Sequence, residues 1–148
     1  MSENPLPPVR RARVRCNRVD VQDSRNSRCR VEVEVEWLGG PAFVGIGQGN
    51  ATPQGHALAG AEAALQAVVL AASAALELEL RGTRLVRAFD SLLVIVAVRA
   101  RILEQRVDLI GATVAPGDDV TRGAVLSFLD ATNRLLERYA NPANDSEA

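Results

Sequence analysis

Few side chains in this sequence are suited to catalysis or to binding a metal ion. The chain has one histidine, His56, two cysteines, Cys16 and Cys29, and no lysine among its 17 basic residues. Without lysine it has neither an amine for a Schiff base nor a phosphate-binding lysine of the Walker type. With a single histidine and no C-x-x-C motif, the sequence predicts no metal site, no cofactor and no catalytic activity.

A glycine-rich segment with the sequence GQGNATPQGHALAG is the strongest candidate for a binding site. A loop of this kind before a helix can bind an anion, because unpaired N–H groups and the helix dipole point at the same place. Neither G-x-G-x-x-G nor G-x-x-x-x-G-K-[ST] can be read in it. Its glycines would permit close backbone approach, and its polar side chains would bind a small carboxylate or an amino acid. The predicted ligand-binding residues in this loop are Gly47, Gly49, Asn50, Thr52 and Gly55.

The same loop has a purely structural interpretation, in which it only turns the chain and Asn50 or Thr52 caps the helix. A second loop, GATVAPGDDVTRGA, has Asp118 and Asp119 at the corresponding place. Two carboxylates suit a helix N-terminus and can cap its free N–H groups. Because no carboxylate occupies the first helix start, we predict the pocket at the first loop. Asp118 or Asp119, from the other half of the chain or from a second chain, would bind the ammonium group of an amino acid.

Alternating apolar residues predict the strands that position these loops. The clearest strand is RVEVEVEW, with Val31, Val33 and Val35 on one face and glutamates on the other. A strand over 12–22 precedes it, and after a turn at 38–41 the segment AFVGIG forms a third strand. A helix is predicted from about residue 55 to residue 73. Its predicted apolar stripe consists of Leu58, Leu65, Val68, Val69 and Ala72.

The second half of the chain repeats this order, with strands in LELELRGTRLVRAF, SLLVIVAVRAR and RVDLIGATV and a helix in DDVTRGAVLSFLDATNRLLERY. The middle strand, SLLVIVAVRAR, is predicted to be the more buried. A gapless shift of 63 positions superposes the two halves. It places Val31, Val33 and Val35 on Val94, Val96 and Val98, Val44 on Val107, Pro53 on Pro116, and Gly60 on Gly123.

The repeat predicts an α+β fold of two pseudo-repeated βββα units, about 11–73 and 75–140, in a single domain. Each antiparallel meander would be covered by one helix whose polar face stays in water. The polar, proline-bearing ends, 1–10 and 141–148, are predicted to be disordered tails.

Residues 1–30 contain eight arginines and three acidic residues, which raises the possibility of RNA binding. The pattern is better explained if Arg13, Arg15 and Arg18 face Glu32, Glu34 and Glu36 across paired strands. The few aromatic residues are too scattered to form a base-stacking platform, so nucleic acid is not an expected partner.

Both cysteines fall in alternating segments and are predicted to be structural thiols. A disulfide between Cys16 and Cys29 would require the two segments to pair antiparallel. The apolar runs are too short for a bilayer and the N-terminus lacks a signal-peptide core, so we predict a cytoplasmic protein without a membrane partner.

The order of elements resembles the C-terminal regulatory domain of 2-isopropylmalate synthase and its homocitrate and citramalate synthase relatives, over about residues 11–139. GIGQGNATPQGHALAGAEAAL is similar to the family's glycine-asparagine-glycine-proline loop and following helix. FLDATNRLL is similar to its closing alanine-leucine-asparagine helix. The resemblance implies a domain that dimerises and binds an end-product amino acid near the interface, as a feedback sensor. The catalytic barrel is absent from this sequence, which implies a stand-alone domain acting as a homodimer or on a partner enzyme.

Three functions follow as alternatives: a small-molecule-sensing regulatory domain, a structural dimerisation or interaction module without a ligand, and an RNA-binding protein. A homodimer is expected in the first two, because the strands leave more apolar surface than two helices cover.

Overall fold

The computed structural model describes residues 13–37, 39–72 and 76–139, with side chains up to residue 136. The tails at 1–10 and 141–148 that the sequence predicts to be disordered lie outside the described residues.

The described residues form two successive βββα units, as predicted. A short 3₁₀ turn, Pro116–Asp118, precedes the second helix. In chain order the elements are β1 (Val14–Asp23), β2 (Arg28–Trp37), β3 (Ala42–Asn50), α1 (Pro53–Ala71), β4 (Leu76–Ala88), β5 (Ser91–Ile102), β6 (Gln105–Val114) and α2 (Val120–Tyr139).

The strands form two antiparallel sheets, a first sheet in the order β1-β2-β3 and a second sheet in the order β4-β5-β6. The alternating valines of the central strands β2 and β5 are fully buried on the inner faces of the two sheets. This confirms the predicted correspondence of Val31, Val33 and Val35 with Val94, Val96 and Val98.

The two helices lie side by side between the sheets. Helix α1 packs on β2 and β3 and also on β4, whereas α2 packs on β5 and β6 and also on β1, and the helices contact each other. Each sheet is covered by the helix of its own unit, as predicted, but each helix also packs on an edge strand of the other sheet and so lies more centrally than the sequence indicates. Only a narrow side of each helix is exposed, for example at Glu62 of α1 and at Asp130 of α2.

The buried surface of α1 is made of small residues, because the first sheet, β4 and α2 all pack closely against the helix. Ala59, Gly60 and Ala61 are consecutive and all buried, which a single apolar stripe does not allow. The predicted stripe is wrong: within it Val68 is fully buried, while Val69 is exposed. The fully buried alanines of α1 are Ala57, Ala59, Ala61, Ala63, Ala64 and Ala67.

Glycines in the third strand of each sheet let the helix backbone come close. A Cβ atom at Gly45 would overlap the carbonyl oxygen of Ala63, and one at Gly111 would overlap that of Ser127. Gly45 lies opposite Val33 and Gly111 lies opposite Val96. These two glycines are therefore equivalent in the repeat.

Beyond the second hairpin of each unit, the gapless shift of 63 positions no longer superposes equivalent residues of the two units. The hairpins differ in arm length, and four residues join β2 to β3 whereas two join β5 to β6. The predicted match of Val44 with Val107 is consequently wrong. Val44 is exposed on the outer face of the first sheet, whereas Val107 lies opposite Ala100 on the inner face of the second.

On the outer face of the first sheet, the strands β1 and β2 present charged side chains that form several ion pairs. Arg15 lies 3.2 Å from Glu36, and Arg18 lies 3.0 Å from Glu32 and 3.8 Å from Glu34. A bulge between Cys16 and Arg18 allows both arginines to point outwards. The predicted cross-strand pairing is confirmed for these two arginines.

A buried amide holds α2 to the first sheet. Val14 N donates to Asn133 Oδ1 at 3.0 Å, and Asn133 Nδ2 donates to Val14 O at 3.0 Å. The start of the edge strand β1 is thereby fixed to a helix from the other unit.

The described helices include none with the length and apolar character needed to cross a membrane.

Candidate functional site

The polar side chains of the first loop already have partners within the protein. Thr52 caps α1, since its Oγ1 accepts a hydrogen bond from Gly55 N at 3.0 Å. Asn50 Oδ1 accepts from Arg28 at 3.0 Å. The structural interpretation of the loop, a turn with a helix cap, therefore accounts for both.

The expectation that the glycines of this loop leave the backbone open is wrong. A Cβ atom at Gly47 would overlap the carbonyl oxygen of Ala59, and one at Gly55 would overlap that of Asn50. A Cβ atom at Gly49 would lie 2.8 Å from Gly55 O. The backbone of the helix and of the loop fills this space. Ligand binding at this loop therefore stays a prediction, and no open backbone supports it.

The aspartates of the second loop have structural partners too. Asp119 Oδ1 accepts from Arg122 N at 3.1 Å, which is the predicted cap of α2. Asp118 lies 3.9 Å from Arg87 at the end of β4. Among the hydrogen bonds and ion pairs of the described chain, none joins either aspartate to the first loop.

Thr52 should matter for stability through its cap. We expect Thr52→Ala to lower the free energy of unfolding by about 1 kcal/mol, because the Gly55 N–H then has no partner. Thr52→Ser retains the hydroxyl and should keep most of the stability. Denaturant unfolding of the two variants checks this, and equal losses would mean that the hydroxyl does not act as the cap.

An open cleft of about 740 Å³ runs between the edges of β3 and β4, with α1 at its base. Gly47 lines it, together with the carboxylates of Glu62 and Glu79. The lining includes no basic side chain, so the cleft offers a charged partner for an ammonium group, whereas a carboxylate would find only the side-chain amides of Gln48 and Gln66.

The only histidine lies in a cluster with a cysteine and an aspartate that the sequence did not predict. Asp23 at the end of β1 and Cys29 near the start of β2 are cross-strand neighbours. His56 in the first turn of α1 places Nε2 2.8 Å from Asp23 Oδ1. The metal-binding atoms of the three residues lie within 4.8 Å of one another. The sequence signal was the short turn that pairs residues 23 and 29, but the position of α1 above that turn was not predictable.

The thiol of Cys29 is not arranged as a nucleophile. Cys29 is 2% exposed. Burial raises the pKa of its thiol, and the nearby Asp23 carboxylate raises this pKa as well. The Nε2 atom of the neighbouring His56 is hydrogen-bonded to the Asp23 carboxylate and is therefore not directed at this thiol.

Both cysteines are free thiols. Their strands do pair antiparallel, but Cys16 lies opposite Val35 and Cys29 lies opposite Asp23, so the register keeps them apart.

Most of the outer face of the second sheet is apolar, although Arg84 lies opposite Ile95 on the edge strand β4. The central strand β5 presents Leu93, Ile95 and Ala97 where the first sheet presents Arg30, Glu32 and Glu34. On the edge strand β6, Ile110 is 65% exposed and Val114 is 53% exposed. We call this surface the outer patch; it consists of Val86, Leu93, Ile95, Ala97, Ile110, Ala112 and Val114.

Charged residues continue the same face beyond one end of the outer patch. Arg99 donates to Asp108 at 2.9 Å, and this bond lowers the pKa of the Asp108 carboxyl. The six charged residues there carry three charges of each sign, and register places them on the outer face. They are Glu77, Glu79, Arg99, Arg101, Arg106 and Asp108.

No protein-family model matches the chain, and a comparison with curated proteins also found no match. The architecture defines an α+β protein of two βββα units.

Proposed function

We propose that this protein is a non-catalytic domain that dimerises through the outer patch, as an interaction or regulatory module. The proposal rests on the residue composition of β5. Its inward residues Val94, Val96 and Val98 are covered by the helices, yet its outward residues Leu93, Ile95 and Ala97 are apolar as well. Strands with two apolar faces are typical of sheets that are covered on both sides.

A second copy of the chain is the occupant that this face fits best. In a twofold pair the same surface meets itself, so an apolar sheet face is matched by an identical one. The charged end of the face has three acidic and three basic side chains, so opposite charges can meet there, and Arg84 on the edge strand β4 adds one further positive charge to the face. The first sheet is different, because its outward glutamates are already paired with Arg15 and Arg18.

The described side chains also support a role without chemistry. His56 and Cys29 are the two groups most suited to catalysis, but the thiol is buried beneath α1 and the imidazole bonds to an aspartate. The acid pair of the second loop serves one helix cap and one ion pair.

Sensing of an amino acid is the second candidate function, and two observations favour it. The sequence resembles the regulatory domain of 2-isopropylmalate synthase, and the open cleft beside α1 presents Glu62 and Glu79 to an ammonium group. A thermal-shift screen of amino acids and 2-oxo acids tests this candidate, since a ligand that binds only the native state raises the melting temperature.

The dimer is tested by replacing one apolar residue on each outer face with arginine. Wild-type protein at micromolar concentration should sediment with twice the 15.8 kDa mass of one chain. Ile110→Arg should be monomeric, because the charge would be buried between two sheets. Val44→Arg is the matched control on the third strand of the first sheet, and it should stay dimeric.

Either of two results would contradict the dimer. One is a wild-type protein that sediments only as a single chain. The other is an Ile110→Arg variant that remains dimeric, which would place the interface elsewhere.

A further inference from the structure

We propose that Asp23, Cys29 and His56 form a binding site for a divalent transition-metal cation of the zinc type. The three residues come from the end of β1, the start of β2 and the first turn of α1, three elements that meet at one edge of the core. The site is separate from the outer patch and does not depend on dimerisation.

The donor set suits zinc by its chemistry. A thiolate sulfur, an imidazole nitrogen and a carboxylate oxygen are the three ligand types that Zn²⁺ prefers in proteins. A thiolate and a carboxylate together balance the double charge of the cation. The cation also displaces the thiol proton on binding, as it does at other cysteine ligands.

The distances allow the three atoms to close around an ion with small movements. Tetrahedral bonds of about 2.0–2.3 Å place neighbouring ligand atoms roughly 3.3–3.8 Å apart. The atoms of this cluster lie within 4.8 Å of one another, and the hydrogen bond between His56 Nε2 and Asp23 Oδ1 measures 2.8 Å. A rotation of the Asp23 carboxylate opens that bond and brings the oxygen to a ligand position.

Burial is graded across the cluster in a way that gives an ion access from solvent. The Asp23 side chain is 55% exposed and that of His56 is 22% exposed, whereas Cys29 lies at the base. The sulfur of Cys29 contacts the carbonyl oxygens of Asn50 at 3.4 Å and Gly55 at 3.9 Å, weak contacts for a thiol donor. The solvent side is left for water as a fourth ligand, as in zinc sites with three protein ligands.

A cation at this point would link the β1–β2 hairpin directly to α1. Because the unfolded chain does not hold the three ligands together, the binding energy would add to the stability of the folded state. Excess Zn²⁺ is therefore expected to raise the melting temperature of the wild-type protein.

Cobalt substitution gives the direct test. Untagged protein freed of metal with a chelator is titrated with Co²⁺, and binding through sulfur produces a thiolate-to-metal charge-transfer band in the near ultraviolet. We expect the band in the wild type and in Cys16→Ser, and its loss in Cys29→Ser. Cys16 is the matched control, because it is the other free thiol on a neighbouring strand.

The partly exposed ligands provide variants that should fold in any case. His56→Gln and Asp23→Asn should each weaken Zn²⁺ binding at least tenfold in calorimetric titration, with unchanged circular dichroism. Absence of the cobalt band in the wild type would overturn the proposal. So would a band that persists in Cys29→Ser, or Zn²⁺ binding that His56→Gln leaves intact.

Discussion

Gly47→Ala is expected to destabilise the protein by about 3 kcal/mol or more, a large part of the stability of a domain of this size. A methyl group at this position would overlap the carbonyl oxygen of Ala59 in α1. No rotamer change can relieve an overlap between a Cβ atom and backbone. The helix must move away from β3, and it is held on its other sides by α2 and β4.

Gly82→Ala is the matched control for this substitution, since Gly82 also lies in a strand and a Cβ atom there meets no atom within 4 Å. Its free energy of unfolding should stay within about 0.5 kcal/mol of the wild type. Denaturant unfolding of both variants at one protein concentration makes the comparison. Equal stabilities would mean that α1 does not approach β3 as closely as described.

Asn133→Leu should lower the free energy of unfolding by about 2–4 kcal/mol. Both the N–H and the C=O group of Val14 then lose their hydrogen-bond partner in the protein interior. Asn133→Asp tests the donor separately, since it retains an acceptor for Val14 N but has no amide to donate to Val14 O. We expect a loss of stability in that variant as well.

Arg134→Ala serves as the control for Asn133, because Arg134 is the next residue of α2 but is exposed in a surface ion pair with Asp130. Its free energy of unfolding should stay within about 0.5 kcal/mol of the wild type. Hydrogen exchange provides a local measure: the Val14 amide should exchange faster in Asn133→Leu and remain protected in Arg134→Ala. Unchanged protection of Val14 in Asn133→Leu would show that the side chain does not hold β1.

The strands were predictable because alternation has a short period and its residues are distinctive. Val31, Val33 and Val35 mark one face of β2 unambiguously, and the facing arginines of β1 follow from opposite charge. The layer of helices was not predictable in the same way. Alanine contributes little to an apolar stripe, so burial of Ala59 and Ala61 on several sides leaves no strong periodic signal.

The candidate sites show a second limit of sequence patterns. Gly47 and Gly55 indicate that something approaches the backbone, but the pattern is the same whether a ligand or a helix does so. The cluster of Asp23, Cys29 and His56 has the opposite difficulty. The spacing of these three residues in the sequence matches no metal-binding motif. The cluster arises only when β1 pairs with β2 and α1 returns across that end of the sheet.

The unequal outer faces of the two sheets limit how far these molecules can assemble. A protein with apolar patches on two opposite sides can stack without end, and such contacts lead to filaments. Here one side is apolar, and the opposite side carries the paired charges of Arg15, Arg18 and their glutamates. In the proposed dimer the apolar sides of the two chains would meet, both ends of the pair would be charged and hydrated, and growth would stop there.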